Sequence, residues 1–134
     1  AEIVPARWAT RANTTRQFKV INDARAILAG DVAHPIYSGE LANQIGVSVR
    51  TLHDAIQRYR GVSLHRYLRL RRLWLVRKQL LAGAPSVKAC ALAYGFWHLS
   101  DFSRSYRSQF GEAPSETLAA SRARPDSSSG RHES

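Results

Sequence analysis

Between Arg16 and Ala29 the apolar residues Phe18, Val20, Ile21, Ala24, Ile27 and Leu28 recur at helical spacing, and Gly30-Asp31 closes the run. His34-Pro35 breaks the chain. Ser38 then caps a short helix through about Ile45, with Glu40 in its first turn. Gly46 ends it, and Ser48 caps a second helix from Val49 to about Tyr59, before Gly61. The stretch from Ser63 to Leu81 holds no Gly or Pro, opens on a good N-cap residue and is stopped by Gly83 and Pro85, which predicts one helix of roughly 18 residues. Its apolar residues make three faces rather than one stripe: Leu73, Val76 and Leu80; Leu64, Leu68 and Leu75; and Tyr67, Leu70, Trp74 and Leu81. A helix that is apolar on several sides is packed on several sides. Beyond it, Ser86 caps a helix through about Tyr94, Gly95 turns the chain, another helix runs from Leu99 to Gln109, and Pro114 begins a last one through about Ala120. The pattern predicts an all-α fold of about seven helices.

The long helix stands between two copies of one pattern. Leu41-Ala42 matches Cys90-Ala91 and Gly46-Val47 matches Gly95-Phe96 at an offset of 49. Leu52 then matches Phe102, Ile56 matches Tyr106, Gly61 matches Gly111 and Leu68 matches Leu118 at an offset of 50, so one residue has been added in the second turn. The matched positions are the small, apolar and glycine ones that set a fold. Each copy reads helix, short glycine-containing turn, helix, the layout in which a second helix enters the major groove of DNA.

The faces opposite the core carry the candidate chemistry. In the first copy Leu52, Ala55, Ile56 and Tyr59 point inward, which turns Arg50, His53, Asp54 and Gln57 outward together. Arg50 can bind guanine bidentately, His53 and Gln57 can donate or accept, and Asp54 can accept from cytosine or hold Arg50 at i+4. A solvated polar face accounts for the same pattern. Arg58 and Arg60 are phosphate candidates, as are Ser48 and Thr51 at the start of that helix. In the second copy Ser100 and Arg104 are base-reading candidates, His98 sits where the helix begins, and Ser103 and Arg107 are phosphate candidates. Leu99 lies near the core side on the wheel, yet its first-turn place can aim it at a thymine methyl.

Charge sharpens this picture. The 134 residues carry a net charge of +10, and nine Arg or Lys residues lie between Arg50 and Lys78 against the single acid Asp54. Such density is the footprint of a polyanionic partner, nucleic acid before an anionic membrane surface. Arg72 sits amid the apolar faces of the long helix. It fits a structural residue that pairs with backbone carbonyls, or with a carboxylate between the units, as well as a phosphate contact. No apolar run nears the length of a membrane span and no signal-peptide pattern is read in these residues. Five histidines lack metal-ligand spacing, and neither a Gly-rich phosphate loop nor a nucleophile elbow occurs, so neither metal, cofactor nor catalysis is expected. The single cysteine, Cys90, holds the repeat position of Leu41 and reads as a small buried hydrophobe. An alkyl-accepting DNA-repair enzyme using Cys90 would need an exposed, activated thiol.

The residues quoted, LANQIGVS and RTL followed by RLWLVRKQLL and GFWHLSDFSRSYRSQFGEAPSETL, resemble the double helix-turn-helix domain of AraC/XylS-type bacterial transcription regulators. The closing pattern rests on Gly95, Phe96, Phe102, Ser103, Arg104, Tyr106, Gly111 and Pro114, and GFWHL further resembles regulators similar to the activator of ethanolamine-utilisation genes. The resemblance implies sequence-specific binding of double-stranded DNA by two recognition helices in successive major grooves, with no catalytic role. It places the base-reading positions at Arg50, His53, Asp54, Leu99, Ser100 and Arg104. Asp54 and Trp97-His98 depart from the residues common among relatives. The implied organisation is a linker over residues 1–15 from an absent upstream sensor domain, a DNA-binding domain over 16–120 and a disordered tail over 121–134. Within the domain, the first unit spans 16–62, the connecting helix 63–82 and the second unit 83–120. In the linker, Ile3, Val4 and Trp8 fit the last packed residues of that upstream domain or an ordinary flexible terminus, and the missing initiator Met points to a fragment of a longer protein. A helix of about 18 residues is roughly 27 Å long, which suits a ruler holding two recognition helices about 34 Å apart. A cytoplasmic, nucleoid-associated location follows. An effector would act only through the upstream domain, and an activator touching RNA polymerase is compatible with the reading. The alternative is a non-specific nucleoid-type protein, which would share the charge but need no repeated motif.

Overall fold

The computed structural model describes residues 3–123, with side chains from Thr14 onward. Among them lie α1 (Ile3–Gly30), α2 (Ser38–Ile45), α3 (Val49–Arg60), α4 (Leu64–Leu81), α5 (Val87–Ala93), α6 (Leu99–Phe110) and α7 (Pro114–Arg122). The stretch expected as a linker is helical from Ile3. Pro5 falls in the first turn, where its missing N–H costs no helical bond, and Ala6, Ala9 and Ala12 favour the helix. At the other end α7 runs to Arg122, and the rest of the expected tail, residues 124–134, lies outside the described residues.

Serines begin three of the helices. Ser48 Oγ accepts from the Thr51 N–H at 3.0 Å, Ser63 Oγ from the Arg66 N–H at 3.1 Å and Ser86 Oγ from the Ala89 N–H at 3.0 Å. Each satisfies one of the amides that a helix start leaves open. Ser38 differs from expectation. It is the first residue of α2, and Tyr37 holds the cap position without a side-chain bond to the helix amides.

The chain divides into two compact units, the first through Leu70 and the second from Arg71, so α4 contributes its first part to one and the rest to the other. In the first unit α1 sets Val20, Ile21, Ala24 and Leu28 into a core with Leu41 and Ala42 of α2, Leu52, Ala55 and Ile56 of α3, and Leu64 and Leu68 of α4. Complete burial of Leu52 and Ile56 is worth about 1.5–3 kcal/mol each. Tyr59, expected to point inward, lies at the rim with 36% exposure. Its ring leans on Phe18, centroids 6.1 Å apart, and its hydroxyl donates to the Thr14 carbonyl at 3.1 Å. A phenol keeps its polar tip at an edge where a partner or water is available.

The second unit buries Leu73, Val76 and Leu80 of α4, Cys90 and Ala91 of α5, Phe102 and Tyr106 of α6, and Leu118 of α7. Aromatic rings run through it from Phe96 to Phe102 (5.0 Å), to Tyr106 (5.8 Å), to Phe110 (4.6 Å) and to Trp74 (4.9 Å). A polar network lies beside them. The Tyr106 hydroxyl donates to Thr117 Oγ1 at 2.8 Å, Thr117 donates to Glu112, and Arg77 Nη1 donates to Tyr106, Glu112 and Thr117 at 3.3, 3.4 and 3.5 Å.

The repeat is a repeat of burial. Leu41 and Cys90, Ala42 and Ala91, Leu52 and Phe102, Ile56 and Tyr106, and Leu68 and Leu118 are all buried in their own unit. Gly46 and Gly95 both turn the chain between the paired helices with positive φ, 89° and 83°. A side chain at that φ is strained, which is why each turn carries glycine.

Candidate nucleic-acid interface

In each helix-turn-helix the packing of one face fixes what the other offers. Leu52, Ala55 and Ile56 anchor α3, and Arg50, Asp54, Gln57 and Arg58 on its far side are exposed, with His53 half-buried at the edge. These four residues, with His53, share a face that no other described element covers deeply. An open concavity of about 600 Å³ lies at its start, lined by Ser38, Val49, Arg50, His53, Asp54 and His65. Val49, Ser38 and His65 were not singled out by sequence. In the sequence Val49 marks only a helix start, and the other two reach the concavity from α2 and α4. Among the described residues no ion pair joins Arg50 to Asp54, so the arginine head is not held at i+4. Ser48 and Thr51 are tied to each other, Ser48 Oγ donating to Thr51 Oγ1 at 3.0 Å. Arg60 is exposed and lies over the Tyr67 ring at 5.8 Å.

The same relation holds in α6. Phe102 and Tyr106 are buried, while Ser100, Ser103, Arg104 and Arg107 are exposed and Leu99 is half-buried. His98 takes the N-cap position without a side-chain cap bond. Beside it Trp97 is 74% exposed, the most exposed large apolar side chain described. Arg104 has a partner that sequence reading passed over: Asp101 Oδ1, 3.4 Å from its Nη1. The i,i+3 spacing was legible, and it gives α6 the acid–arginine pair that α3 lacks.

Not every cation in the basic run belongs to this surface. Arg72 is only 6% exposed. Its Nη1 donates to the carbonyls of Tyr94 and Gly95 at 3.1 and 3.3 Å, and its guanidinium lies 4.5 Å over the Phe96 ring. Of the roles open to it in the sequence, the carbonyl-pairing one is realised, inside the second unit. Arg77 is likewise occupied by the polar network and by the Phe110 ring at 4.9 Å. Arg122 Nη2 donates to the carbonyls of Ala84 and Pro85 at 3.1 and 2.8 Å. Guanidinium groups satisfy loop carbonyls well because their donors are fixed in one plane.

Cys90 is buried, its Sγ 3.7 Å from the Val76 carbonyl, and burial pushes its thiol above the ordinary cysteine range. Both effects remove thiolate at neutral pH. Labelling of Cys90 by a thiol reagent in the folded protein is expected to be at least tenfold slower than in denaturant. Equal rates would show an open, activated thiol. No described helix is long and apolar enough to cross a membrane.

Two glycine-turned helix pairs, each offering a polar outer face on its second helix, define a double helix-turn-helix module of the kind that binds DNA. Residues 41–120 match the family described as Helix-turn-helix domain. The XylDLEGF operon transcriptional activator 1 of Pseudomonas putida is 40% identical over 81 residues, 58% of this chain and 24% of that protein. The HTH-type transcriptional activator RhaS of Pectobacterium atrosepticum is 32% identical over 87 residues, 65% and 31% of the two chains. The crystal structure of a probable AraC family transcriptional regulator from Rhodopseudomonas palustris shares 38% identity and a TM-score of 0.66, covering 80% of this chain and 99% of that one. An AraC-type DNA-binding protein of Chromobacterium violaceum gives 27% identity and a TM-score of 0.69, covering 83% and 98%. The chain belongs to the AraC/XylS family of transcriptional regulators, which bind DNA by sequence and are not enzymes. It spans about a quarter of the length of the first Pseudomonas putida relative.

Proposed function

We propose that α3 and α6 each enter a major groove of one duplex, in successive turns. Arg50, His53, Asp54 and Gln57 would read bases in one groove and His98, Leu99, Ser100 and Arg104 in the other. Ser48, Thr51, Arg58, Arg60, Ser103 and Arg107 would hold the flanking phosphates. The observation that carries this reading is that both helices expose polar faces at repeat-related positions, opposite Leu52 and Ile56 in one unit and Phe102 and Tyr106 in the other. The continuous α4 is the element that would set the spacing of the two half-sites. An upstream domain would sense an effector and lead into α1, a surface of the domain would touch RNA polymerase, and the protein would act at the nucleoid in the cytoplasm.

Selection of bound sequences from a random DNA library, at two salt concentrations, tests the reading. Two enriched patches about 10 to 11 base pairs apart are expected. Affinity that falls steeply with salt and shows no enrichment would mean that backbone charge alone binds. On the selected site Arg50→Ala is expected to cost about 1–3 kcal/mol and relax selectivity at one base pair. A uniform loss across unrelated sequences would make Arg50 a phosphate contact instead.

A further inference from the structure

We infer that His53 reads DNA only as a hydrogen-bond donor, through Nε2–H, because the first amide of α4 holds its Nδ1 as an acceptor. The inference rests on the proposed placement of α3 in the major groove and adds what one of its residues recognises there.

The first turn of α4 presents amides that need partners. Ser63 takes the one at Arg66, which leaves those of Leu64, the first helical residue, and His65. The Leu64 N–H donates to His53 Nδ1 at 3.4 Å, across eleven residues of sequence and in a part-buried setting. A ring nitrogen that accepts from a backbone amide carries no proton. In the neutral imidazole the proton is then on Nε2, at the other side of the ring. Turning the ring over would set a carbon against the amide and leave that N–H without its acceptor.

His53 also lines the concavity shared with Arg50 and Asp54, so Nε2–H is the group it offers there. Sequence alone left His53 free to donate or accept. The α4 bond removes the second choice. In the major groove guanine presents two acceptors, N7 and O6, adenine presents N7 beside its N6 donor, and thymine presents O4, whereas cytosine presents only a donor at N4. A fixed donor therefore favours guanine, thymine or adenine N7 on the strand it faces and disfavours cytosine. Base reading is thereby tied to the start of α4, since the ring that reads is also the ring that closes that helix.

The first test is long-range proton–nitrogen NMR of the free domain, at a pH above the ordinary histidine range. The expected result is a protonated Nε2 and a bare Nδ1 on His53; a proton on Nδ1 would overturn the inference. The second compares selected sites of the wild type and His53→Asn, whose side-chain oxygen can still accept from Leu64 while its NH2 falls at the ring-carbon position and does not reach where Nε2–H stands. Thermal stability within a few degrees of wild type would show that the helix start is kept. At one position a preference for guanine or thymine over cytosine is expected to fall about tenfold, equivalent to ~1.4 kcal/mol. A preference that survives the substitution would overturn the donor role while leaving sequence-specific binding intact. Failure of the wild type to enrich any sequence would instead overturn the groove-reading proposal, and base discrimination by His53 with it.

Discussion

Arg72→Met is expected to lower the unfolding free energy by about 2–4 kcal/mol, read from chemical denaturation followed by circular dichroism. Methionine keeps much of the packing volume, so the loss reports the guanidinium. Removing it strands the Tyr94 and Gly95 carbonyls that Arg72 now satisfies at 3.1 and 3.3 Å, in a setting where it is 6% exposed. It also removes the stacking on Phe96. Those carbonyls close α5 and form the turn that aims α6. On the proposed placement of α6, the variant is therefore also expected to discriminate less well at the half-site assigned to α6, with the half-site assigned to α3 unaffected. Stability within about 0.5 kcal/mol of wild type would show that water replaces the arginine without cost.

The residues that sequence placed correctly are those whose role is set by near neighbours. Ser48, Ser63 and Ser86 cap because the amide they meet is three residues away, and the glycine turns follow from backbone sterics alone. Leu52 with Phe102, and Ile56 with Tyr106, were legible as core because two copies of one pattern agree on them. The exposed polar faces of α3 and α6 then followed by elimination.

What stayed hidden depends on partners far along the chain. A run of arginines looks uniform in sequence, and the carbonyls that draw Arg72 inward lie 22 and 23 residues away. The wheel flagged Arg72 but could not choose its partner. Arg77 gave no such sign. The His53–Leu64 bond was equally invisible, since it joins a side chain of one helix to the backbone of another across a turn. The helical start of α1 stayed hidden for a different reason. Pro5 and a polar composition suggest a linker, while alanine propensity and a proline harmless in the first turn favour the helix observed. Trp74, which the wheel places on an apolar face of the long helix, is 51% exposed and packs edge-on against Phe110 in the second unit.

Arg77→Met separates architecture from backbone binding. The Arg77 guanidinium donates to the Tyr106 and Thr117 hydroxyls and the Glu112 carboxylate, with Phe110 beneath it. Breaking a buried pair by removing one partner costs about 3–5 kcal/mol. Glu112 is partly exposed, so water recovers some of that, and about 2–4 kcal/mol of destabilisation is expected. Because Arg77 is spent inside the second unit, the slope of log affinity against log salt should match that of the wild type. Arg58→Ala is expected to do the reverse. Its side chain is exposed on α3, so stability should hold within about 0.5 kcal/mol while the slope flattens by about one phosphate contact. A salt slope reduced by Arg77→Met would return that arginine to the DNA surface. An unchanged slope in Arg58→Ala would remove Arg58 from it, and the basic run would then owe its DNA affinity to fewer cations than its density suggests.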